Sequence, residues 1–440
     1  MTILFRSTCS LLLCMLALRS VAQAGQLDNE FGTNGITTLE LPGTDSFKAS
    51  GLAIAPDGAM YVCGTAIVAG SPQFCLARFL STGMPDLDFN GTGFLLLDVS
   101  GMDDEASAVT MAGDDRVLVA GTSAEFWNNT SWITVAVVKA DGLLDTDLGD
   151  GTGIIHTVLD AGRKATGHAI VGTSDGGFVV GGSAERIGGD QQALVVRYNA
   201  NGTVNDDFGE HGISCSGQGM IGPGYFRESI NALVVTPDGD IVAAGDCDVP
   251  GFQGQRAYKL RLHKDGSATS FASGPFSWGG PSRSRGIARQ DDGHYLLIGE
   301  TDAGGSVMAY QRCDSDGVPE ISNEVWFVDE GPRNSTGYAV AVDLLGHPLL
   351  AGSVIVGSGA KAFCLMRLRS DCGNDDLFGT GGQVITPVGG WAEARAIGVQ
   401  ADGKIDPGRT CPRGRARSSG HRALPLGRQR GCGRARRGDG

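Results

Sequence analysis

The stretch ASGLAIAPDGAMYVCGT, residues 49–65, decides the reading of this chain. Leu52 and Ile54 alternate with small residues, Pro56-Asp57-Gly58 interrupts, and Met60 and Val62 resume the alternation. Period-two alternation is the mark of a half-buried strand. Asp-Gly supplies the break: Gly enters positive φ without a Cβ clash, and Asp tolerates that region better than most residues. The stretch is a β-hairpin. It returns as ASAVTMAGDDRVLVAGT from Ala106, GHAIVGTSDGGFVVGGS from Gly167, INALVVTPDGDIVAAGD from Ile230, RGIARQDDGHYLLIGET from Arg285 and GYAVAVDLLGHPLLAGS from Gly337. A stub, ARAIGVQADGKI, runs from Ala394 to Ile405. The copies are roughly 60 residues apart, a period that points to a repeat architecture.

A second phrase lies between the hairpins. It reads RYNANGTVNDDFGEHGI from Arg197, RFLSTGMPDLDFNGTGF from Arg78 and RLRSDCGNDDLFGTGGQ from Arg367, and its second half, LDNEFGTNGI, opens at Leu27. Decayed copies from Arg261 and Arg312 keep Asp265-Gly266 and Asp316-Gly317. One period then holds four short strands, in the first copy Gly35–Leu41, Gly51–Ala55, Met60–Thr65 and Phe74–Leu80. No segment has a sustained helical period. A lone four-stranded sheet leaves both faces wet, and radial stacking of such sheets covers them. The expected fold is all-β: a β-propeller of six full blades plus a truncated seventh, with four antiparallel strands per blade. An open β-solenoid is the alternative. Because Leu27 begins partway through a repeat, a strand from the N-terminal side is expected to complete the last blade.

The two phrases in register, D-x-x-F-G-x-x-G and then A-x-x-x-x-P-D-G-x-I-x-x-A-G, resemble the bacterial delta-60 repeat family over about Leu27–Ile405. That family is described by its repeat, and the resemblance carries over no catalytic residues. Asn323, where Phe is expected, and Leu345, in place of the turn Asp, depart from it.

Residues 1–24 have the form of a secretory signal: Arg6, the apolar Leu11–Leu18, and Ala22-Gln23-Ala24 as a small-x-small cleavage site. The expected product is cleaved after Ala24, secreted or periplasmic, with no membrane span, and monomeric. The propeller then occupies 25–405. Residues 406–440 hold ten Arg against two Asp, with no strand pattern. This reads as a basic disordered tail produced by a shifted reading frame, because it breaks the seventh hairpin mid-phrase. The formal charge of −14 for the whole chain therefore understates the acidity of the body. An acidic body disfavours nucleic acid as a partner.

Few motifs carry chemistry. Gly172-Thr173-Ser174-Asp175-Gly176 imitates a hydrolase elbow, and Gly398 to Lys404 imitates a phosphate loop. Both are hairpin turns of the repeat without the helix such motifs require. Asp86, Asp88 and Asn90, and Asp145, Asp147 and Asp150, alternate as in calcium loops, though Phe89 and Leu148 interrupt them at a position suited to a buried plug. Calcium is the one cofactor these residues suggest. Of eleven Cys, Cys63 and Cys75 on consecutive strands form the disulfide candidate. Trp127 and Trp132 flank a polar insertion and form a binding-loop candidate. The loops Ala66–Gln73, Ser123–Ser131 and Ser183–Gln192 should share one face, where recognition of a protein or carbohydrate ligand is expected. The function expected is a binding or scaffolding module. The alternative is a propeller hydrolase or lyase with its site in the central channel. Acidic and His side chains gathered at the channel would favour the enzyme; a lining of Gly, Ala and Val would favour binding.

Overall fold

A computed structural model describes residues 24–410 except 102, 114–115, 126–128, 160–161, 187–188, 216–224, 272, 303, 326, 328–333 and 358. The calls on the leader and on residues 411–440 lie outside the described residues. Among the described residues there are six four-stranded antiparallel sheets and one two-stranded sheet. The first blade holds β1 (Ser46–Ile54), β2 (Met60–Val68), β3 (Ser71–Phe79) and β4 (Phe94–Leu97). The second holds β5 (Asp103–Ala112), β6 (Arg116–Glu125), β7 (Thr130–Lys139) and β8 (Ile154–Thr157). The third holds β9 (Ala165–Gly172), β10 (Phe178–Glu185), β11 (Gln191–Tyr198) and β12 (Ile213–Cys215). The fourth holds β13 (Phe226–Val235), β14 (Ile241–Asp248), β15 (Gln255–Leu262) and β16 (Gly274–Phe276). The fifth holds β17 (Ser282–Arg289), β18 (Tyr295–Asp302), β19 (Ser306–Cys313) and β20 (Pro319–Glu324). The sixth holds β21 (Ser335–Val342), β22 (Pro348–Ile355), β23 (Lys361–Arg367) and β24 (Gln383–Thr386). The seventh sheet is β25 (Glu393–Val399) with β26 (Ile405–Thr410).

The first strands β1, β5, β9, β13, β17, β21 and β25 touch one another in sequence, and β25 touches β1. They form a closed inner ring, and the fold is the expected propeller. The blade's phase differs from the sequence reading. Each blade starts with the first strand of the hairpin and ends with the short strand after the D-x-x-F phrase. Gly35–Leu41, expected as a strand, contains only an isolated bridge at Ile36, and its remainder joins no ladder. At the other end, β26 runs five residues beyond Ile405, into the segment read as tail.

Blades lock through the D-x-x-F phrase. Phe89, Phe208 and Phe378 are buried almost completely, and Leu148 fills the same position. Each plugs toward the following blade: Phe89 packs with Val117 and Val119 of β6, and Phe208 with Ile241 of β14. The receiving surface is a Gly in the next blade's loop. A Cβ on Gly266 would meet Phe208 at 3.1 Å, and one on Gly83 would meet Phe31 at 2.8 Å. The second contact closes the ring, because Phe31 belongs to the opening segment and Gly83 to the first blade. Blade five lacks the phrase, and Val325 and Phe327 pack toward blade six instead. In blade six, exposed Leu345 leaves the turn to Asp343, whose Oδ1 accepts the Leu345 and His347 N–H groups at 2.9 and 2.8 Å.

Candidate functional site: a collar on the inner ring

The inner strands share one irregularity. In every blade the pairing between first and second strand slips by one residue at the same place. The extra residues are Ser50, Ser107, His168, Asn231, Arg285, Tyr338 and Arg395. All seven are half-buried. A bulge leaves its extra residue unpaired and re-aims its side chain. Here seven bulges at one level of the inner ring build a polar collar.

The repeat's A-G phrase makes the bulge possible. A Cβ on Gly64, Gly121, Gly182, Gly245, Gly299 or Gly352 of the second strands would lie 1.8–2.1 Å from a first-strand carbonyl oxygen. Only Gly admits that approach. Thus a glycine that reads as a strand end is the seat of the bulge.

The collar is chemically lopsided. On one arc, His168 Nδ1 lies 3.0 Å from Ser229 Oγ and 3.2 Å from the Ile230 carbonyl. Burial holds His168 below the usual imidazole range, against the pull of that carbonyl. The Asn231 amide donates to the Ser284 carbonyl at 2.9 Å. On the other arc, the Tyr338 ring is flanked by Arg285 at 5.4 Å, Arg395 at 4.9 Å and Lys361 at 5.8 Å. Three cations around one ring is a desolvated cation–π cluster. Two carboxylates hold it. Arg285 donates to Glu300 at 2.6 Å, and Arg395 to Glu393 at 2.6 Å. Lys361 and the Tyr338 hydroxyl also bond to Glu393. The Nε–H groups of Arg285 and Arg395 are buried, and neither has an acceptor among the described residues.

Carboxylate environments diverge across this arc. Burial alone would lift Glu300, but the Arg285 charge and hydrogen bond, with Thr336 and Ser306, outweigh it and hold Glu300 below the usual range. Glu393 behaves alike: burial lifts it, and Lys361 and Arg395 bring it lower still. Burial raises Asp246, and the charges of Arg283 and Arg285 offset this only in part. The inner wall is therefore neither a plain Gly, Ala and Val lining nor a His and carboxylate metal cage. Among the described residues no group of three His, Cys, Asp or Glu is placed to hold a metal ion.

The residues singled out in the sequence lie elsewhere. Asp86 and Asp145 are buried under the D-x-x-F turns. Asp86 is ion-paired with Arg78, and Asp145 accepts from Arg116 Nε at 2.6 Å. Their other oxygens cap the turn through the Asp88 and Asp147 N–H groups, both at 3.3 Å. Asp88, Asp147 and Asp150 face solvent, and the Asn90 amide bonds the Phe94 carbonyl. Each loop's inner carboxylate is thus engaged by an arginine. Cys63 and Cys75 are free, buried thiols. Cys63 stands opposite Leu76 and Cys75 opposite Gly64, so the two side chains leave opposite faces of the sheet. Burial pushes the Cys63 thiol up to about 12. Trp132 lies within β7, and its indole N–H donates to His156 on the outer strand β8 at 2.9 Å. Trp127 lies outside the described residues. Ser174 sits in the β9–β10 turn, where Gly177's carbonyl accepts the Thr173 N–H. The three variable loops all fall at the end joining second to third strands. The first is a tight turn at Ala69 and Gly70 rather than an extended loop.

The family model that matches the chain agrees with this architecture. Residues 55–89 and 173–208 match the family model described as "Domain of unknown function (DUF5122) beta-propeller". Both matched segments run from the hairpin turn to the buried plug, in blades one and three. Among curated proteins, none matches the chain. Solved structures similar to it include a protein of unknown function from Dyadobacter fermentans, with TM-score 0.44, 10% identity, and coverage of 73% of this chain and 98% of that one. They also include a mutant of AofleA from Arthrobotrys oligospora, at 0.42, 11%, 86% and 98%. The periplasmic gluconolactonase PpgL of Pseudomonas aeruginosa stands at 0.42, 14%, 78% and 86%. No helix among the described residues is long and apolar enough to cross a membrane.

Proposed function

We propose that this chain is an exported binding propeller of the delta-60 kind, whose collar takes a small ligand bearing a carboxylate. The carrying observation is the Arg285–Tyr338–Arg395 arc, with its two buried guanidinium N–H groups that have no acceptor among the described residues. Unpaired buried donors cost free energy until an acceptor reaches them. Arginine is the residue best suited to carboxylate recognition, and the tyrosine face between the two offers a stacking surface. The positive arc sits within an acidic protein, which would repel a polyanion while admitting a small singly charged ligand.

The test is calorimetric titration of the full chain with sugar acids, amino acids and their neutral counterparts. Binding of an acid in preference to its neutral form, weakened about tenfold or more by Arg395→Gln, supports this reading. Equal binding of both forms, or none, removes it.

A second reading has its own observation. Asp246 is raised and Glu300 lowered beside the same Arg285. Carboxyls pushed apart in this way suit an acid and a base of a hydrolase. Turnover of an ester or glycoside substrate that falls about a hundredfold or more in Asp246→Asn would favour the enzyme.

A further inference from the structure

The repeat keeps its third strands apolar where blade packs on blade, and one interface breaks that rule three times. Lys259 of β15 stands opposite Ala244. Its counterparts in the other blades are Leu76, Val135, Val195, Tyr310 and Leu365. Gln311 and Cys313 of β19 occupy places that hold Ala136 and Val138 in blade two. Lying two residues apart on one strand, they share a face. Departures from a repeated pattern that gather at one place point to function.

The three side chains meet between blades four and five. Lys259 Nζ donates to Gln311 Oε1 at 3.1 Å and to Cys313 Sγ at 3.2 Å. The Cys313 thiol donates to the same Gln311 oxygen at 3.2 Å. The Phe276 ring centroid lies 5.2 Å from Nζ. Lys259 is 4% exposed and Cys313 is fully buried. The lysine's partners are thus an amide oxygen, a sulfur and a ring face, and among the described residues no carboxylate pairs with it. Burying an ammonium without a counter-charge is costly. The sulfur is the one contacting group that can supply that charge, by giving up its proton. Burial raises the Cys313 thiol, Lys259 draws it back in part, and Asp314 and Glu320 add to the rise, so the resting sulfur keeps its proton. The Gln311 amide donates to Ser322 Oγ at 2.9 Å, and Ser322 is exposed on the outer strand β20. One side chain therefore separates the buried pair from the surface.

We propose that Lys259 and Cys313 form an oxidation-sensitive cross-link site, closed by hydrogen peroxide into a sulfenamide that joins blade four to blade five. The amine takes the thiol proton, and the thiolate attacks the peroxide O–O bond. Sulfur gains an oxygen and gives up two electrons, hydroxide leaves, and the ammonium returns its proton to that hydroxide as water. Nζ then attacks the sulfenic sulfur. The S–N bond forms, the S–O bond breaks, and the departing hydroxide carries off the amine proton as a second water. One thiol, one amine and one hydrogen peroxide thus give one sulfenamide and two waters. Two thiols of an added reductant restore the thiol and the amine and themselves become a disulfide.

The experiment treats the full chain with hydrogen peroxide, blocks remaining thiols in denaturant, digests the protein and maps the peptide masses. A joined pair of peptides holding Lys259 and Cys313, about 2 Da lighter than their sum and lost after dithiothreitol, supports the proposal. The oxidised protein should also unfold in urea about tenfold more slowly than the reduced one. Lys259→Met restores an apolar residue where other blades carry one, so the fold should persist while both effects disappear. Wild-type protein decides the matter without that variant. Recovery of Cys313 as a free thiol, as a sulfinic acid or in a disulfide overturns the proposal. So does a joined peptide that forms equally well when peroxide is added to the chain in urea, because the fold would then not be what brings the pair together.

Discussion

Lys404 Nζ lies 2.8 Å from Asp28 Oδ2, which ties the last hairpin to the opening segment. The pair is a substitute. In blades one, three, four, five and six a third-strand arginine does this work: Arg78, Arg197, Arg261, Arg312 and Arg367 each reach a turn or D-x-x-F carboxylate of their own blade. In blade two Val137 stands at that place, and Arg116 at the start of the second strand pairs with Asp145 instead, the position that Lys404 holds in the seventh sheet. The Lys404 and Asp28 side chains are 49% and 33% exposed, so solvent screens them and the pair is worth about 0.5 kcal/mol. Its use is registration of the two chain ends. The firmer closure is the Phe31 plug against Gly83.

That division of labour can be measured. Lys404→Met should change the unfolding free energy by no more than about 0.5 kcal/mol. Phe31→Ala removes a half-buried aromatic plug and should cost about 2–3 kcal/mol. Urea unfolding with limited proteolysis checks both. A Phe31→Ala protein that keeps wild-type stability and resists cleavage near residues 36–45 would show that the ring does not depend on this plug.

The second-strand glycines should be intolerant of any side chain. A Cβ on Gly245 would stand 1.8 Å from the Ser229 carbonyl oxygen, a backbone atom that cannot swing away. Gly245→Ala should therefore cost about 3 kcal/mol, through loss of the bulge or displacement of β13. Gly357 has open space and no positive φ, so Gly357→Ala is the matched control and should be close to neutral. Comparable melting temperatures for the two variants would refute the seat-of-the-bulge account.

Most of the fold was legible because its signals are local. Asp57-Gly58 and its counterparts mark hairpins, and alternation on either side marks strands. Phe31 and Asp28, lying out of phase at the start, pointed to a strand from the opening segment completing the last blade; that segment reaches blade one through the Phe31–Gly83 contact but forms no strand there. Residues 36–41 misled, because strand-forming residues pair only when a neighbour is present, and among the described residues no third strand lies beside them. The collar was hidden for a different reason. A bulge inserts one residue into a period-two pattern, and Ser50 or Arg395 then looks like an ordinary alternating position. The signal was available in Gly64 and its counterparts, since a glycine recurring inside a strand implies a close backbone approach. The Cys63–Cys75 expectation ignored register: equal distance from a turn does not place two side chains on one face.

His168 should give the protein a pH-dependent stability near neutrality. Burial lowers its folded pKa below the ordinary value of 6.5, although the Ile230 carbonyl pulls the other way. Protonation therefore favours the unfolded chain. Stability is complete above pH 6.5 and falls as the pH drops toward the folded pKa, where the dependence ends. His156 is lowered for the same reason and adds to the effect. Between pH 7.5 and 5.5 the wild-type melting temperature should decline, and the slope should be visibly shallower in His168→Gln. An unchanged slope would place the titration elsewhere.

In the six complete blades the position opposite Ala49 or its counterpart is glycine, because a carbonyl lies where a side chain would begin. In the seventh sheet Arg409 stands there, paired with Ala394, and Pro407 replaces an edge residue that elsewhere donates to a third strand. A sequence that obeys a strict steric rule six times and breaks it just after Ile405 has left its repeat, and consistency across levels argues that the break is not designed. We expect the gene, translated in another frame after codon 405, to restore V-x-x-A-G, then an apolar run, and then a D-G or N-G phrase. A protein expressed from that frame should complete the blade. It should melt several degrees higher. If neither alternative frame yields the glycine and the apolar run, the break after Ile405 is the protein's own.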